Sequence, residues 1–412
     1  MVVTGRLTGQ TAGAGLGLVE TTCCIAGGGP AGLMLGLLLA RAGVDVVVLE
    51  KHGDFLRDFR GDTVHPSTLD VLDDLGLTAR FEALSHRKIT GLSIVTDDGE
   101  IMLESVFEGL PHPYIAMVPQ WDLLDMLASE AATLPGFHLL MNTEVTGLIR
   151  EGPRVAGVRH RDGQVRAALT VAADGRSSVL RAAAMLPLHE YGAPMDVVWF
   201  RVPREAGDRD DSFFRLAPGH LLVAINRTAY WQLAYIVPKG GAVSLEEPAV
   251  RQTVGSLVPF LAGRSYGLGR DAILTVRIDR LRRWHRPGLL CIGDAAHAMS
   301  PVGGVGINLA IQDAVAAANL LYEPLRRGAV SEQDLASVQR RRMLPTMLVQ
   351  GFQRAAQRAV ISPALSGRTI VRPDGLERAS RIPVLRSAIG RWAGYGPRPE
   401  RPRPELRAIT SP

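Results

Sequence analysis

An aspartate followed closely by a glycine-rich loop is the clearest candidate for chemistry in this chain of 412 residues. Asp294 comes directly after the apolar residues 289–292, which have the length of a buried strand. From Ile307 onwards, apolar residues recur at helical spacing. The loop between them and the start of the helix contain Pro301, Gly303, Gly304, Val305, Gly306, Ile307 and Asn308. The pattern predicts a strand with a carboxylate at its end, a tight loop, and a helix whose N-terminus points back to the same place.

This arrangement makes two demands on a ligand. Backbone N–H groups at a helix N-terminus favour negative charge nearby, and a carboxylate accepts hydrogen bonds from sugar or polyol hydroxyls. A ring system that becomes anionic and carries a polyol tail meets both demands, as reduced flavin with its ribityl chain does. The alternative is an ordinary Gly-Asp turn followed by a relaxed loop, but so many consistent positions in one stretch favour the ligand.

A second glycine cluster predicts a dinucleotide-binding βαβ unit. A strand over residues 20–26 leads into a helix over residues 30–42, and a second buried strand over residues 44–49 ends at Glu50. The connecting loop contains Gly27, Gly29, Pro30, Ala31 and Gly32. In this pattern the glycines permit a tight turn, close approach of a pyrophosphate and close helix packing, and the acid binds ribose hydroxyls. Strand, helix, second strand and acid together predict an adenine dinucleotide.

Two other polar positions have competing interpretations. Arg60 follows a charged loop and precedes a predicted helix, so it is either a cationic cover on the cofactor or a surface residue, and residue chemistry leaves the two even. Asp174 follows an apolar strand and begins the run Asp-Gly-Arg-Ser-Ser. It either faces a phosphate or ribose, or belongs to a helix start that Ser177 or Ser178 caps.

Composition excludes several classes of protein. The net charge is +5, but the arginines are scattered without interleaved aromatics, so nucleic acid is not an expected partner. The longest apolar run, residues 33–40, is too short to span a membrane. The three cysteines show neither a disulfide framework nor metal-ligand spacing. With no secretory signal visible, the sequence predicts a cytoplasmic protein without a metal.

Three motifs at these separations resemble the para-hydroxybenzoate hydroxylase-like flavoprotein monooxygenases, which are single-component FAD enzymes. The sequences GGGPAG at residues 27–32, AADGRSS at 172–178 and GDAAHAMSPVGGVGIN at 293–308 are similar to that family's first FAD motif, DG motif and GD motif. The resemblance runs from about residue 20 to the tail. Ala172 and Val305 depart from it, because glycine and glutamine are common at these two positions.

The resemblance implies roles for particular residues. Asp294 would hold the ribityl chain, Pro301 and residues 303–308 would line the isoalloxazine ring, and Asp174 would touch FAD. The remaining contacts would be Glu50 and its neighbour Lys51 at the ribose, the arginine Arg60, Gln120 near the ribose, and Val145 near the adenine. No His, Cys or Ser constellation indicates a general base, so no catalytic residue is predicted.

The implied fold is α/β, with a Rossmann-like FAD-binding domain interleaved with an antiparallel-sheet substrate domain and followed by C-terminal helices. Residues 1–19 would form a loose leader, and residues 20–95, 115–190 and 281–325 the FAD-binding domain. Residues 96–114 and 191–280 would form the β-sheet substrate domain, since strand-like segments and much of the aromatic content lie there. The alternation over residues 89–107 predicts a hairpin with its turn at residues 97–99, and residues 137–145 are predicted to form one strand. Residues 326–412 would form a C-terminal helical region, with Pro345 kinking or breaking a helix, and a Pro/Arg-rich tail.

The implied reaction uses non-covalently bound FAD, with NADPH or NADH as co-substrate. Reduced flavin would react with O2 to give a C4a-hydroperoxyflavin that hydroxylates an aromatic or polycyclic small molecule. Two alternatives stay open: a redox-silent FAD-binding cyclase or isomerase, and a Baeyer–Villiger or epoxidising variant of the same family. A flavin halogenase is disfavoured because its W-x-W-x-I-P signature is absent.

Overall fold

The computed structural model describes residues 18–56, 62–103, 106–267, 273–368 and 382–407. Arg60 lies outside the described residues, as does most of the predicted leader. The strands are β1 (Leu18–Ala26), β2 (Val46–Leu49), β3 (Thr63–Val64), β4 (Arg87–Ile89), β5 (Leu92–Thr96), β6 (Gly99–Leu103), β7 (Ile115–Met117), β8 (Phe137–Leu140), β9 (Val145–Glu151), β10 (Arg154–His160), β11 (Gly163–Ala172), β12 (Leu188–Glu190), β13 (Met195–Pro203), β14 (Phe213–Ala217), β15 (His220–Asn226), β16 (Tyr230–Pro238), β17 (Ile273–Leu274), β18 (Asp279–Leu281), β19 (His285–Arg286) and β20 (Leu289–Cys291). The α-helices are α1 (Pro30–Arg41), α2 (Pro66–Asp74), α3 (Thr78–Glu82), α4 (Gln120–Ala131), α5 (Val179–Ala183), α6 (Glu247–Leu257), α7 (Gly306–Arg326), α8 (Glu332–Ala356), α9 (Ser362–Leu365) and α10 (Pro383–Tyr395).

The first sheet carries the predicted dinucleotide-binding unit. Its main path runs β19-β20-β11-β1-β2-β8, and β10 and β9 extend it from β11. The pairs from β20 through to β8 are parallel, and every residue of β2 is buried, as expected for a strand covered on both faces. Helices α1 and α7 pack against each other beside this sheet. The predicted α/β fold is confirmed.

The second sheet has the order β17-β13-β16-β15-β14-β5-β6. Its pairs are antiparallel except for β14 with β5. The hairpin predicted around residues 97–99 is present, since Thr96 pairs with Gly99. Strand β5 pairs with β6 from Leu92 to Thr96 and with β14 from Ser93 to Val95, so this sheet includes residues before residue 96.

One predicted element boundary is wrong. The strand predicted over residues 137–145 ends at Leu140, because Asn142 turns the backbone with φ at +55°, and β9 begins separately at Val145. At Pro345, where a kink or a break was predicted, the helix does not break, and α8 continues through the proline to Ala356. Thr346 donates a side-chain hydrogen bond to the Arg342 carbonyl at 2.9 Å, which adds a local contact where proline removes a backbone N–H.

Helix α7 belongs to the core. By length and composition, residues 302–326, which include α7, could cross a membrane. However, 72% of an apolar 18-residue stretch within them is buried inside the protein. The Pro/Arg-rich tail also packs inward, since Leu406 joins the main hydrophobic cluster with no exposed surface.

Candidate functional site

The carboxyl ends of four parallel strands meet at one edge of the first sheet. Ala26 of β1 pairs with Leu49 of β2 on one side and with Ala172 of β11 on the other, and Ala172 pairs with Cys291 of β20. The residues that follow these ends are Gly27, Glu50, Asp174 and Asp294. Parallel α/β sheets bind ligands in the crevice beyond the carboxyl ends of their strands. The register therefore brings motifs that are far apart in sequence to one edge.

In the loop between β1 and α1, close backbone contacts leave no room for a side chain at two of the glycines. Gly27 has φ at +107°, and a Cβ there would lie 2.3 Å from the Ala173 carbonyl oxygen. A Cβ on Gly32 would lie 1.9 Å from the Gly27 carbonyl oxygen. Apart from its chain neighbours, no described residue has an atom within 4 Å of a Cβ placed on Gly29, just before α1 begins with Pro30 and Ala31. The loop is thus closed towards the protein and open beside the helix N-terminus, where a phosphate group fits.

Glu50 is oriented by its neighbours at the end of β2. One carboxylate oxygen accepts a hydrogen bond from the Gly28 N–H at 2.9 Å, and the other lies 2.7 Å from His52 Nδ1. The following residue, Lys51, is exposed. Val145 is buried at the start of β9, two residues after Thr143, whose N–H bonds the Glu50 carbonyl at 2.8 Å. The predicted ribose and adenine residues therefore lie close together.

Asp174 is buried at the end of β11. Its Oδ2 accepts the Leu180 N–H at 3.2 Å, while its Oδ1 is buried without a partner in the part of the chain that the structure describes. Burial raises the pKa of this carboxyl, against the opposing hydrogen bond from Ser178. Ser178 also caps α5, which confirms the predicted capped helix start; a contact between Asp174 and a phosphate or ribose stays a prediction.

Asp294 lies in a short 3-10 turn, Gly293–Ala295, beside the side chain of Arg176. Its Oδ2 accepts a hydrogen bond from Arg176 Nε at 3.0 Å, and both side chains are about one-third exposed, at 31% and 34%. Arg181 joins the two motifs, because its guanidinium donates to the carbonyls of Ala295 at 3.1 Å and Arg176 at 2.6 Å. The sequence analysis did not single out either arginine as a structural contact.

The second glycine-rich loop, residues 301–306 and hereafter the glycine loop, is held against β3 by a hydrogen bond. Thr63 Oγ1 donates to the Gly304 carbonyl at 2.6 Å. Gly304 has φ at +61°, and a Cβ there would lie 2.3 Å from Thr63 Oγ1, so no larger residue fits without movement. A Cβ on Gly306, at the start of α7, would meet no atom within 4 Å from the described part of the chain beyond its immediate neighbours. Pro301, Gly303, Val305 and Ile307 complete this loop and helix start.

Asn308 acts in a way that the sequence analysis missed. Its Oδ1 accepts hydrogen bonds from the His65 N–H at 2.9 Å and from Thr68 Oγ1 at 2.7 Å, and its Nδ2 donates to the Thr63 carbonyl at 3.1 Å. The side chain is buried and ties the first turn of α7 to β3 and α2. Gln120 is the first residue of α4, and its backbone N–H donates a hydrogen bond to Asp62 Oδ1 at 3.4 Å.

A buried ionic network supports the loop from behind. Asp313 has no exposed surface and accepts hydrogen bonds from the Gly293 N–H at 3.1 Å and Arg342 Nε at 3.0 Å, with His297 Nε2 at 2.6 Å. Burial alone would raise the pKa of Asp313, but the charges of His297 and Arg342 outweigh it and hold the pKa below its ordinary range. The network fixes the position of Gly293, directly before Asp294.

Comparison with known proteins agrees with this geometry. A family model described as an FAD binding domain matches residues 20–351. The 6-methylpretetramide 4-monooxygenase of Streptomyces rimosus is 35% identical over 403 residues, which cover 94% of this chain and 95% of the relative. The chain therefore belongs to the family that the FAD-binding-domain model describes. It is an FAD-dependent monooxygenase that uses NAD(P)H.

Other relatives of this FAD-dependent monooxygenase are more distant. The dialkyldecalin synthase of Streptomyces rugosporus is 27% identical over 323 residues, which cover 72% of this chain and 64% of that protein. The solved structure of an anhydrotetracycline hydroxylase from Streptomyces rimosus matches with a TM-score of 0.74 at 23% identity, covering 91% of this chain and 76% of the other. This structural likeness shows the shared fold.

The residues at the sheet edge fit FAD. The space beside Gly29 would suit a pyrophosphate, and a carboxylate at the end of β2 such as that of Glu50 would suit ribose hydroxyls. The exposed part of the Asp294 carboxylate and the open space at Gly306 suit a polyol chain and the edge of a ring. The unpartnered Oδ1 of Asp174 supplies a further buried acceptor.

Proposed function

We propose that this monooxygenase hydroxylates a planar polycyclic aromatic molecule, bound between residues 301–308 and the second sheet. The observation that carries this proposal is a hydrophobic cluster that the loop and the sheet share. Val302 of the loop packs into a cluster built on one face of β13, β14, β15 and β16. The relative that acts on 6-methylpretetramide supports a polycyclic substrate.

Aromatic side chains on that face suit a flat ligand. Trp199 and Phe214 are partly buried against the same cluster as Val302. The indole Nε1 of Trp199 is buried without a hydrogen-bond partner among the described residues. A buried N–H without an acceptor is costly, and a substrate carbonyl or phenol oxygen would supply one. Ring stacking on Trp199 and Phe214 would orient the substrate plane.

We also propose specific FAD contacts from the geometry of the sheet edge. Gly27, Gly29, Pro30, Ala31 and Gly32 would face the pyrophosphate, Glu50, Lys51, Gln120 and Val145 the adenosine end, Asp174 and Asp294 the ribityl region, and Pro301, Gly303, Gly304, Val305, Gly306, Ile307 and Asn308 the ring. Bound FAD would supply hydride acceptance from the nicotinamide and activation of O2. The protein would position both partners and exclude water.

The N-terminus of α7 would stabilise negative charge on the reduced ring. This helix has 21 residues, begins at Gly306 and has no acidic residue in its first turn. The side chain of Asn308 is occupied elsewhere, so the stabilising groups would be backbone N–H groups of the first turn, which have no partners within the helix.

Anaerobic mixing of the FAD-loaded protein with NADPH and then NADH tests the proposal. We expect the oxidised-flavin absorbance to bleach, faster when a planar polycyclic phenol is present, and the product formed under 18O2 to carry one labelled oxygen atom. Retention of FAD with no bleaching by either nicotinamide, with or without such phenols, would instead indicate a redox-silent cyclase. Bleaching with labelled ester or epoxide products would indicate the other variants of the family.

A further inference from the structure

Three buried glutamines lie on one face of the C-terminal helices, directly behind the glycine loop. Gln350 and Gln353 belong to α8, and Gln357 begins the single π-helical turn Gln357–Ile361 that follows it. Their spacing of three and then four residues places them on one side of a helix. Their exposed fractions are 2%, 1% and 2%. Buried polar side chains of this kind are found where they satisfy other buried groups.

Gln353 holds the loop by its backbone. Its Oε1 accepts the Ser300 N–H at 3.1 Å, and its Nε2 donates to the Ser300 carbonyl at 2.9 Å and to the Val302 carbonyl at 2.8 Å. One carboxamide thus uses its acceptor and both donors on the two residues that flank Pro301. A neutral amide achieves this without placing a charge in the core.

The other two glutamines continue the same contact on either side. Gln350 Nε2 donates to the Ala298 carbonyl at 3.1 Å and to the Asp279 carbonyl at 2.8 Å. Gln357 Nε2 donates to Ser300 Oγ at 2.9 Å. Residues 297–300 have no regular secondary structure, so these side chains supply hydrogen bonds that a neighbouring strand would otherwise provide.

We propose that Gln353, assisted by Gln350 and Gln357, is a positioning residue that holds residues 298–302 in the conformation that receives the flavin ring. Val302 carries the effect further, because it packs on the substrate-facing side of the second sheet together with Ile361 from the π-helical turn. The family match ends at residue 351, so Gln353 and Gln357 lie beyond it. The inference rests on the assignment of this loop to the flavin ring.

The test replaces Gln353 with methionine, which keeps the length and removes all three hydrogen bonds. Released from Gln353, the loop would populate displaced conformations, and apparent affinity falls in proportion to the competent fraction. We expect the affinity of the apoprotein for FAD to fall roughly tenfold, the change that corresponds to one buried hydrogen bond left unmade. Affinity for ADP, which lacks the ring, should be unchanged, and the midpoint potential of bound FAD should shift.

The matched control is Gln339→Met on the same helix. Gln339 bonds the Trp284 N–H at 3.0 Å and the Arg282 carbonyl at 2.9 Å, and both partners lie outside the glycine loop. We expect it to lower thermal stability without changing FAD affinity or potential. Gln357→Met removes a single bond and should act as Gln353→Met does, to a smaller extent. It decides the question if Gln353→Met does not fold.

Equal losses of FAD and ADP affinity in Gln353→Met would overturn the proposal, because they would show general destabilisation. Unchanged FAD affinity and potential in folded Gln353→Met, or in Gln357→Met where it must decide, would overturn it as well. None of these readouts requires nicotinamide, O2 or an aromatic substrate. The outcome is therefore separate from the success or failure of the proposed hydroxylation.

Discussion

Replacing Asp294 with alanine separates a cofactor contact from a structural one. Among the residues that the structure describes, the Asp294 carboxylate has one hydrogen-bond partner, Arg176, at 3.0 Å. Both side chains are about one-third exposed, and ion pairs of this kind contribute about 0–1 kcal/mol. Asp294→Ala should therefore change the stability of the apoprotein by less than about 1 kcal/mol.

The effect on FAD affinity should be much larger. A hydrogen bond from a ribityl hydroxyl to a charged carboxylate contributes about 1.5–3 kcal/mol. Since about 1.4 kcal/mol corresponds to a factor of ten, losing this bond weakens FAD binding roughly 10- to 150-fold. Asp294→Asn keeps one acceptor oxygen and the shape of the side chain, so we expect an intermediate loss.

The assay is titration of apoprotein with FAD, followed by flavin fluorescence, with thermal unfolding of the same apoproteins in parallel. Asp313→Asn is the matched control for a structural carboxylate in the same region, since Asp313 has no exposed surface. Full FAD affinity in Asp294→Ala would refute the ribityl assignment. A large loss of apoprotein stability would show that Asp294 is mainly structural.

Three further outcomes are expected. Gly304→Ala should lower FAD retention, because Gly304 has a φ of +61° and an added Cβ would clash with Thr63 Oγ1. A second substitution, Thr63→Ala, should restore part of the lost retention. If equilibrium dialysis showed no loss of FAD from Gly304→Ala, the close contact would be contradicted. Asp313→Asn should destabilise the protein at neutral pH by up to about 3–5 kcal/mol, because it removes the negative charge beside the buried Arg342, which keeps only the more distant Glu400 carboxylate at 3.6 Å among the described acids. The folded pKa of Asp313 lies below its ordinary value of 3.8, so this stability is present above that pH and lost as the pH falls below it, and unfolding curves of the two proteins should converge in acid. Trp199→Leu should raise KM for a planar substrate by up to about tenfold through lost ring contact while FAD affinity stays the same; an unchanged KM in steady-state kinetics would place the substrate elsewhere.

The glycine and aspartate motifs could be recognised from sequence because their requirements are local. The turn at Gly27, the helix that begins at Pro30 and the strand that ends at Glu50 depend on residues close together in the chain. The antiparallel hairpin near residue 98 was predicted for the same reason, since turn chemistry and alternation are local signals. Helix α8 was harder, because proline predicts a break unless tertiary packing maintains the helix.

Contacts that join distant residues required the tertiary structure. Asn308 appears in sequence as a loop residue near the ring, yet its side chain bonds His65 and Thr68, about 240 positions away. The three glutamines behind Ser300 carry no sequence signal, because a glutamine that faces solvent and one that satisfies a buried loop look alike.

The sequence by itself determined the cofactor class and the two-sheet α/β organisation, because backbone geometry at glycines and periodic burial are written in neighbouring residues. Only the three-dimensional contacts showed which side chains hold the loop of residues 298–306 in place. Those roles depend on the register that aligns Ala26, Ala172 and Cys291 and on the packing of α8 against the loop. Both the register and this packing depend on contacts between segments far apart in the chain. The free energy of such contacts depends on both segments, so neither segment's sequence alone predicts it.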